Sequence, residues 1–305
     1  MLRTVFYMLR LPNLLIIALT FCMLRYLVFI PVYSANSIVP GMGSLNFIIM
    51  VCATMIIAAA GYIINDYFDV TTDRVNKPEK QYIGKQVTTG TALAIVILMS
   101  CMAIGLSGWL SFSMKSMWPG ILLLTALVVA WWYATRLKRS FVWGNLAVAC
   151  MSAGTLGMAW LLEWQVSDAN AEAKLLVTKV VIAIGVFAFL LSLMREIVKD
   201  MEDVEGDKLG GCRSIPIVKG IIFTKTLLMI FTVFTFILLI IAQVSLVAFG
   251  KWAAVVWLTL AVEMPLIAFA TALAKAQDKH DYHKASILLK MIMLGGIMTM
   301  AAGQF

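Results

Sequence analysis

The stretch NDYFDVTTDRVNKP, Asn65 to Pro78, follows directly on the apolar run 45–64. That run is long enough for a helix to cross the roughly 30 Å of hydrocarbon in a bilayer. Three aspartates and an arginine then arrive together, at the point where a spanning helix would leave lipid. Asp66, Asp69 and Asp73 stand at i, i+3 and i+7, which on a helix is one narrow face. Carboxylates stacked on one face repel each other unless a cation sits among them.

The rest of the chain explains why the acid is conspicuous. Of 305 residues, 62% are hydrophobic and 13% charged, and the mean hydropathy is +0.94. A soluble domain carries roughly a quarter charged residues. At about 20 residues per span, about nine spans are expected, at 11–33, 45–64, 90–112, 117–135, 141–163, 175–195, 222–249, 252–272 and 284–303. The expected fold is all-α, a polytopic membrane protein forming one domain over 1–305. The first run is too long for the core of a cleaved signal peptide and is expected to stay as a span.

Basic residues set the orientation. Arg3 and Arg10 in the N-terminal segment, and then Arg74, Lys77, Lys80 and Lys85; Arg136, Lys138 and Arg139; Lys199, Lys208, Arg213 and Lys219; and Lys275, Lys279 and Lys284 in alternate loops, all fall on one side of the expected spans. The intervening loops hold Lys115, Lys174, Lys251 or nothing. The positive-inside rule then puts the N-terminus in the cytoplasm and the C-terminus outside, most naturally in the cell (inner) membrane. The net charge of +8 is therefore a topology signal and not a nucleic-acid footprint. The five cysteines, four in spans and Cys212 in a loop, form neither a disulfide framework nor a zinc spacing. His280 and His283 are expected to be solvated, and no zinc or haem site accompanies them.

Ten of the sixteen acidic residues occupy two windows on the same expected side: Asp66, Asp69, Asp73 and Glu79, then Glu196, Asp200, Glu202, Asp203, Glu205 and Asp207. Both windows read D-x-x-D-V-x-x-D. Acidic residues contribute little to topology, so the duplication points to chemistry. Two such faces converging at one site suit Mg²⁺, which keeps positions open for water and substrate phosphates. The motifs follow the second and sixth spans, so parallel helical repeats over 1–140 and 141–275 are expected, with the last helix, 284–303, added.

These residues resemble the UbiA-type intramembrane prenyltransferases. That family's N-D-x-x-D-x-x-x-D and N-x-P are matched by Asn65, Asp66, Asp69, Asp73, Asn76 and Pro78, and its K-D-x-x-D-x-E-G-D by Lys199, Asp200, Asp203, Glu205, Gly206 and Asp207. Leu137-Lys138-Arg139 with Gly144-Asn145 is similar to its L-K-R…G-N segment, and Arg10-Leu11-Pro12-Asn13 to its R-x-P-x-N start. The resemblance implies nine helices in a ring, a lipid-open cavity, a cytoplasmic-side cap, and Mg²⁺-dependent transfer of an isoprenoid chain from its diphosphate to an acceptor. Within the family, EIVKDMEDVEGD followed by IP is most similar to the branch that prenylates geranylgeranylglyceryl phosphate in ether-lipid synthesis. Prenylation of an aromatic quinone precursor is the alternative. Two departures bear on the acceptor: Arg195 stands where a tyrosine is frequent, and Glu79 to Lys85 replaces a more basic stretch.

On this resemblance, two Mg²⁺ ions would be held by Asp66, Asp69, Asp200 and Asp203, with Asp73 and Asp207 completing the clamps. Asn65 would offer its amide, and Lys138, Arg139 and Lys199 would hold the diphosphate. Arg10, Asn13, Asn145 and Arg195 are expected at the substrates, with Lys80 a further candidate for an acceptor phosphate. Tyr62, Tyr67, Phe68, Trp131, Trp132 and Tyr133 are aromatic candidates near the inside face, though interface belts account for the tryptophans. Arg25 and Glu263 stand mid-span, where ionisable groups are costly and tend toward function. A transporter would place its carboxylates near the midplane. A phosphatidyltransferase of the CDP-alcohol type would need D-G-x-x-A-R, absent here.

Overall fold

The computed structural model describes residues 7–76, 78–166 and 171–303. Arg3 and Lys77, used above for topology, lie outside them, and so does the side chain of Lys80. Nine helices among the described residues are long and apolar enough to cross a membrane: α1 (Leu11–Ala35), α2 (Ser44–Phe68), α4 (Thr89–Ser113), α5 (Trp118–Thr135), α6 (Trp143–Val166), α7 (Ala171–Glu202), α10 (Ile221–Ala248), α11 (Trp252–Lys275) and α12 (Lys279–Gly303). Three short helices lie at one end of the bundle: α3 (Val70–Asn76), α8 (Val204–Leu209) and α9 (Ile215–Lys219). The only β-type pairing among the described residues is an isolated bridge between Ile83 and Val87.

The helices start and stop where the chain chemistry dictates. Proline stands in the first turn of α1, α5 and α9, where its missing N–H has no partner to lose. Thr88 caps α4 by accepting from the Thr91 amide at 3.1 Å. Successive spanning helices pack side by side, and α12 returns to α1, which closes the ring. α4 stands outside that ring against α2 and α5, and none of its described residues reaches the interior. The buried apolar residues gather in three clusters, each joining several helices.

Two spans carry a one-turn π-helix immediately before a proline. In α1 it covers Arg25–Phe29, ahead of Pro31. In α11 it covers Thr259–Glu263, ahead of Pro265. Proline removes one i−4 hydrogen bond and crowds the carbonyl it would have bonded, and a wider turn makes room for that loss. For Pro265 that carbonyl belongs to Ala261. Gly295 of α12 lies against it: a Cβ there would sit 2.5 Å from the Ala261 oxygen. Trp257 Nε1 donates to the Gly295 carbonyl at 2.9 Å, tying α11 and α12 at the same level.

The mid-span charges are structural at one site. Arg25 donates to the Met42 carbonyl at 2.7 Å and lies 4.7 Å over the Phe47 ring. Its partners are thus a loop carbonyl and an aromatic face. Glu163, at the end of α6, accepts from the Gly41 and Met42 amides at 2.7 and 3.4 Å. Together they tie down the loop between α1 and α2, whose backbone would otherwise be unsatisfied near lipid. Glu263 is buried in the second π-turn, and its Oε1 has no partner among the described residues.

The Gly295 approach gives a direct test. Gly295→Ala should lower the stability of the detergent-solubilised protein by about 1–3 kcal/mol through overpacking. Gly296→Ala, whose Cβ meets nothing within 4 Å, should stay within about 0.5 kcal/mol of wild type. Thermal unfolding of the two variants side by side distinguishes them.

Candidate active site

Both aspartate motifs interrupt their helices at the same place. α2 ends at Phe68 and Asp69 takes φ −95° and ψ 3°; α7 ends at Glu202 and Asp203 takes φ −103° and ψ 9°. The expected single helical face is therefore bent at its middle carboxylate in each copy. The backbone ladder survives the bend. Asp69 N–H donates to Asn65 O at 3.0 Å and Asp73 N–H to Asp69 O at 2.8 Å; Asp203 N–H donates to Lys199 O at 2.9 Å and Asp207 N–H to Asp203 O at 3.0 Å. Each motif is thus an arm, a spanning helix followed by a short helix angled off it.

The arms touch. α3 packs on α8, and Asn76 joins them from both ends of its amide: Nδ2 donates to Asp203 O at 3.0 Å and Oδ1 accepts from Gly206 N–H at 2.9 Å. Only glycine fits opposite it, because a Cβ at Gly206 would lie 2.5 Å from the Asn76 side chain. A Cβ at Gly210 would likewise collide with Thr72. Lys279 of α12 donates to the Asn76 carbonyl, which adds the last helix to the junction.

Above the junction lies a cavity of about 2400 Å³, running from the arms deep into the bundle. Asp66, Asp69, Asp73, Asp200, Asp203 and Asp207 all line its mouth, with Asn65, Lys138, Asn145, Arg195 and Lys199. Its deeper wall is apolar, with residues such as Leu123, Val180, Leu239 and Met300. Among the described residues no three carboxylates lie close enough together to enclose one ion. Protein groups hold them instead. Arg10 pairs with Asp66 at 2.7 Å, Lys138 pairs with Asp69, Asn65 Nδ2 donates to Asp69 Oδ2 at 2.8 Å, and Asn145 Nδ2 donates to Asp200 Oδ2 at 2.7 Å. Burial disfavours the charged Lys138, but Asp69, with Asp207 and Asp73 behind it, outweighs burial and holds its ammonium above the ordinary value. Arg10 is raised in the same way, burial being overcome chiefly by Asp66. Both cations therefore persist at neutral pH.

Arg10 stands in the left-handed region at φ 49°, a strained conformation for a residue with a Cβ. Its guanidinium lies 5.0 Å over the Tyr62 ring. Asn13, one turn on, accepts from Lys290 Nζ at 2.8 Å. Arg195 and Lys199 both reach Glu196, at 3.1 and 3.3 Å. Arg139 is not brought to the cavity: its carbonyl accepts from Arg213 N–H at 3.1 Å, behind the wall. Of the aromatic candidates, Tyr62 and Tyr133 line the cavity, whereas Tyr67, Phe68, Trp131 and Trp132 do not. His283, expected to be solvated, sits with Nδ1 3.0 Å from Glu202 Oε1 while remaining half-exposed. Sequence reasoning passed over Glu196 as a partner and Lys290 altogether. For Lys290 the available signal was a lysine inside an apolar run.

A hollow, largely apolar interior within a membrane-spanning bundle serves a substrate that is itself part lipid, and the charge gathered at the mouth serves that substrate's head. An intramembrane prenyltransferase handles both. The UbiA prenyltransferase family is matched over residues 23–294, and the chain belongs to it. It is an enzyme and an integral membrane protein. The digeranylgeranylglyceryl phosphate synthase of Korarchaeum cryptofilum is 31% identical over 254 residues, covering 82% of this chain and 83% of that protein. That of Methanothermobacter thermautotrophicus is 28% identical over 265 residues, covering 86% of each. The fold is shared with a solved digeranylgeranylglyceryl phosphate synthase at a TM-score of 0.64, with 21% identity, over 99% of this chain and 98% of that one. It is also shared with a UbiA homologue from Archaeoglobus fulgidus bound to GPP and Mg²⁺, at a TM-score of 0.57, with 14% identity, over 98% and 99%.

The junction between the arms is open to test. Asn76→Ala removes both hydrogen bonds and strands the buried Gly206 amide, so a loss of about 1–3 kcal/mol is expected. Thermal unfolding in detergent measures it.

Proposed function

We propose that the protein transfers a geranylgeranyl group from its diphosphate to geranylgeranylglyceryl phosphate, in the synthesis of ether lipid. The observation that carries this reading is the joining of two carboxylate arms to one cavity of about 2400 Å³. Ordinary small-ligand pockets measure about 300–1,000 Å³, so this one has room for two isoprenoid tails. The relatives named for digeranylgeranylglyceryl phosphate support the acceptor.

The residues at the mouth fit a hard divalent cation. They offer carboxylates with an amide oxygen, and Asn65 Oδ1 is buried there with no partner among the described residues. Asp66, Asp69, Asp73, Asp200, Asp203 and Asp207 would hold Mg²⁺, two ions in all, with Arg10 and Lys138 giving up their carboxylates to it. Bound Mg²⁺ would neutralise the charge that grows on the departing diphosphate. Lys138 and Lys199 would hold the diphosphate oxygens as point charges, and Asn145 would keep Asp200 aimed at the site. The apolar wall would exclude water while the allylic carbon is cationic, with Tyr62 and Tyr133 presenting aromatic faces to it. The two like-bent arms support a single domain built from repeats 1–140 and 141–275 with the last helix added. The loop charges support an N-terminus and active site on the cytoplasmic side of the cell membrane.

Purified protein with geranylgeranyl diphosphate should prenylate geranylgeranylglyceryl phosphate in the presence of Mg²⁺, and lose that activity on chelation. Asp69→Asn and Asp203→Asn should each lower kcat by about 10²–10³-fold or more while the protein stays folded. Full activity in both variants would overturn the metal assignment. Turnover of 4-hydroxybenzoate or dihydroxynaphthoate alone would overturn the acceptor.

A further inference from the structure

Besides Lys138 and Lys199, the cavity carries a cation that the diphosphate chemistry does not use, Lys290. Lys290 lies eleven residues into α12, about 16 Å along its axis from Lys279. An ammonium at that depth of a span is costly and is kept for a partner or a function. Among the described residues no carboxylate pairs with it. It donates to the neutral Asn13 Oδ1 at 2.8 Å, and it lines the same cavity as Arg10 and Arg195.

The neighbours sharpen the point. Arg195, a charge of like sign, acts on Lys290, and both line the same cavity. Arg195 shares its ion-pair partner Glu196 with Lys199, and among the described residues its buried Nε has no acceptor. Arg10 stands one turn before Asn13, whose N–H donates to the Arg10 carbonyl at 2.7 Å. Three cations thus meet on the side of the mouth built by α1, α7 and α12, where among the described residues Asp66 and Glu196 are the carboxylates that pair with them. A phosphomonoester, with up to two negative charges and three strong acceptor oxygens, matches that surplus.

We propose that Arg10, Arg195 and Lys290 seat the phosphate of the prenyl acceptor, with Asn13 positioning Lys290, and that Lys290 makes the enzyme require that phosphate. The inference rests on the acceptor reading above and assigns the residues that enforce it.

The test compares geranylgeranylglyceryl phosphate with unphosphorylated geranylgeranylglycerol as acceptors, for wild type, Lys290→Met and Lys290→Arg. Lys290→Met should raise KM for the phosphorylated acceptor about tenfold and shrink the preference for it by a similar factor. KM for geranylgeranyl diphosphate should stay within about twofold, a split that a merely structural loss would not produce. Lys290→Arg should restore most of the acceptor affinity. An unchanged preference in Lys290→Met, or a rise in the diphosphate KM instead, overturns the proposal. Should Lys290→Met fail to fold, Asn13→Ala carries the test: a rise of about threefold in the same acceptor KM is expected, and none overturns the seat. Wild type that prenylates an aromatic acid and not the phosphorylated acceptor overturns the acceptor reading and the seat together. Wild type active on the phosphorylated acceptor with an indifferent Lys290→Met overturns the seat alone.

Discussion

Six aspartates are held at the mouth of one cavity, against their mutual repulsion and next to lipid. Two unit charges 4 Å apart interact by about 4 kcal/mol at the effective dielectric of a protein surface, so such a group does not gather without a reason built into the backbone. Here the reason is the junction of α3 and α8. Asn76 bonds the opposite arm through both ends of its amide, and Gly206 lets the two backbones approach. Arg10 and Lys138 then supply local counter-charge to Asp66 and Asp69. Remove the junction and the carboxylates have every electrostatic incentive to separate.

The bundle beneath serves that arrangement. A ring needs helices of matched length that turn at defined places, and prolines and glycines supply the turning points. The paired π-turns ahead of Pro31 and Pro265 widen α1 and α11 without ending them. At the second, Gly295 lets α12 approach the Ala261 carbonyl closely. The loop between α1 and α2 is held by Arg25 and Glu163. Arg25 looks functional by depth alone, yet its partners are a loop carbonyl and the Phe47 ring.

The spans were legible in the sequence to within a few residues at most ends, because lipid demands long apolar runs and charge marks where they stop. α7 was the exception: it continues through Ala171–Glu202, past the expected 175–195, since its acidic end is still helical although no longer apolar. The two motifs were legible as a pair because their spacing repeats. Their bend at Asp69 and Asp203 was not, since nothing in D-x-x-D-V-x-x-D separates a continuous helix from an interrupted one. Long-range partners were hidden too. Lys290 and Asn13 are 277 positions apart, and no local pattern joins them. Arg139 and Lys138 are adjacent in sequence, but a short 3₁₀ turn sends only Lys138 to the cavity.

The hollow interior has a mechanical consequence. A conventional bundle gains cohesion from a central layer of interlocking side chains, but here the buried residues lie in three clusters, each joining several helices, beside a cavity of about 2400 Å³. Among the described residues the helices lean on one another around that hollow, much as staves do in a cask. Whatever acyl or isoprenoid chain fills the middle therefore becomes part of the scaffolding, and how stiff the vessel is depends on what it contains.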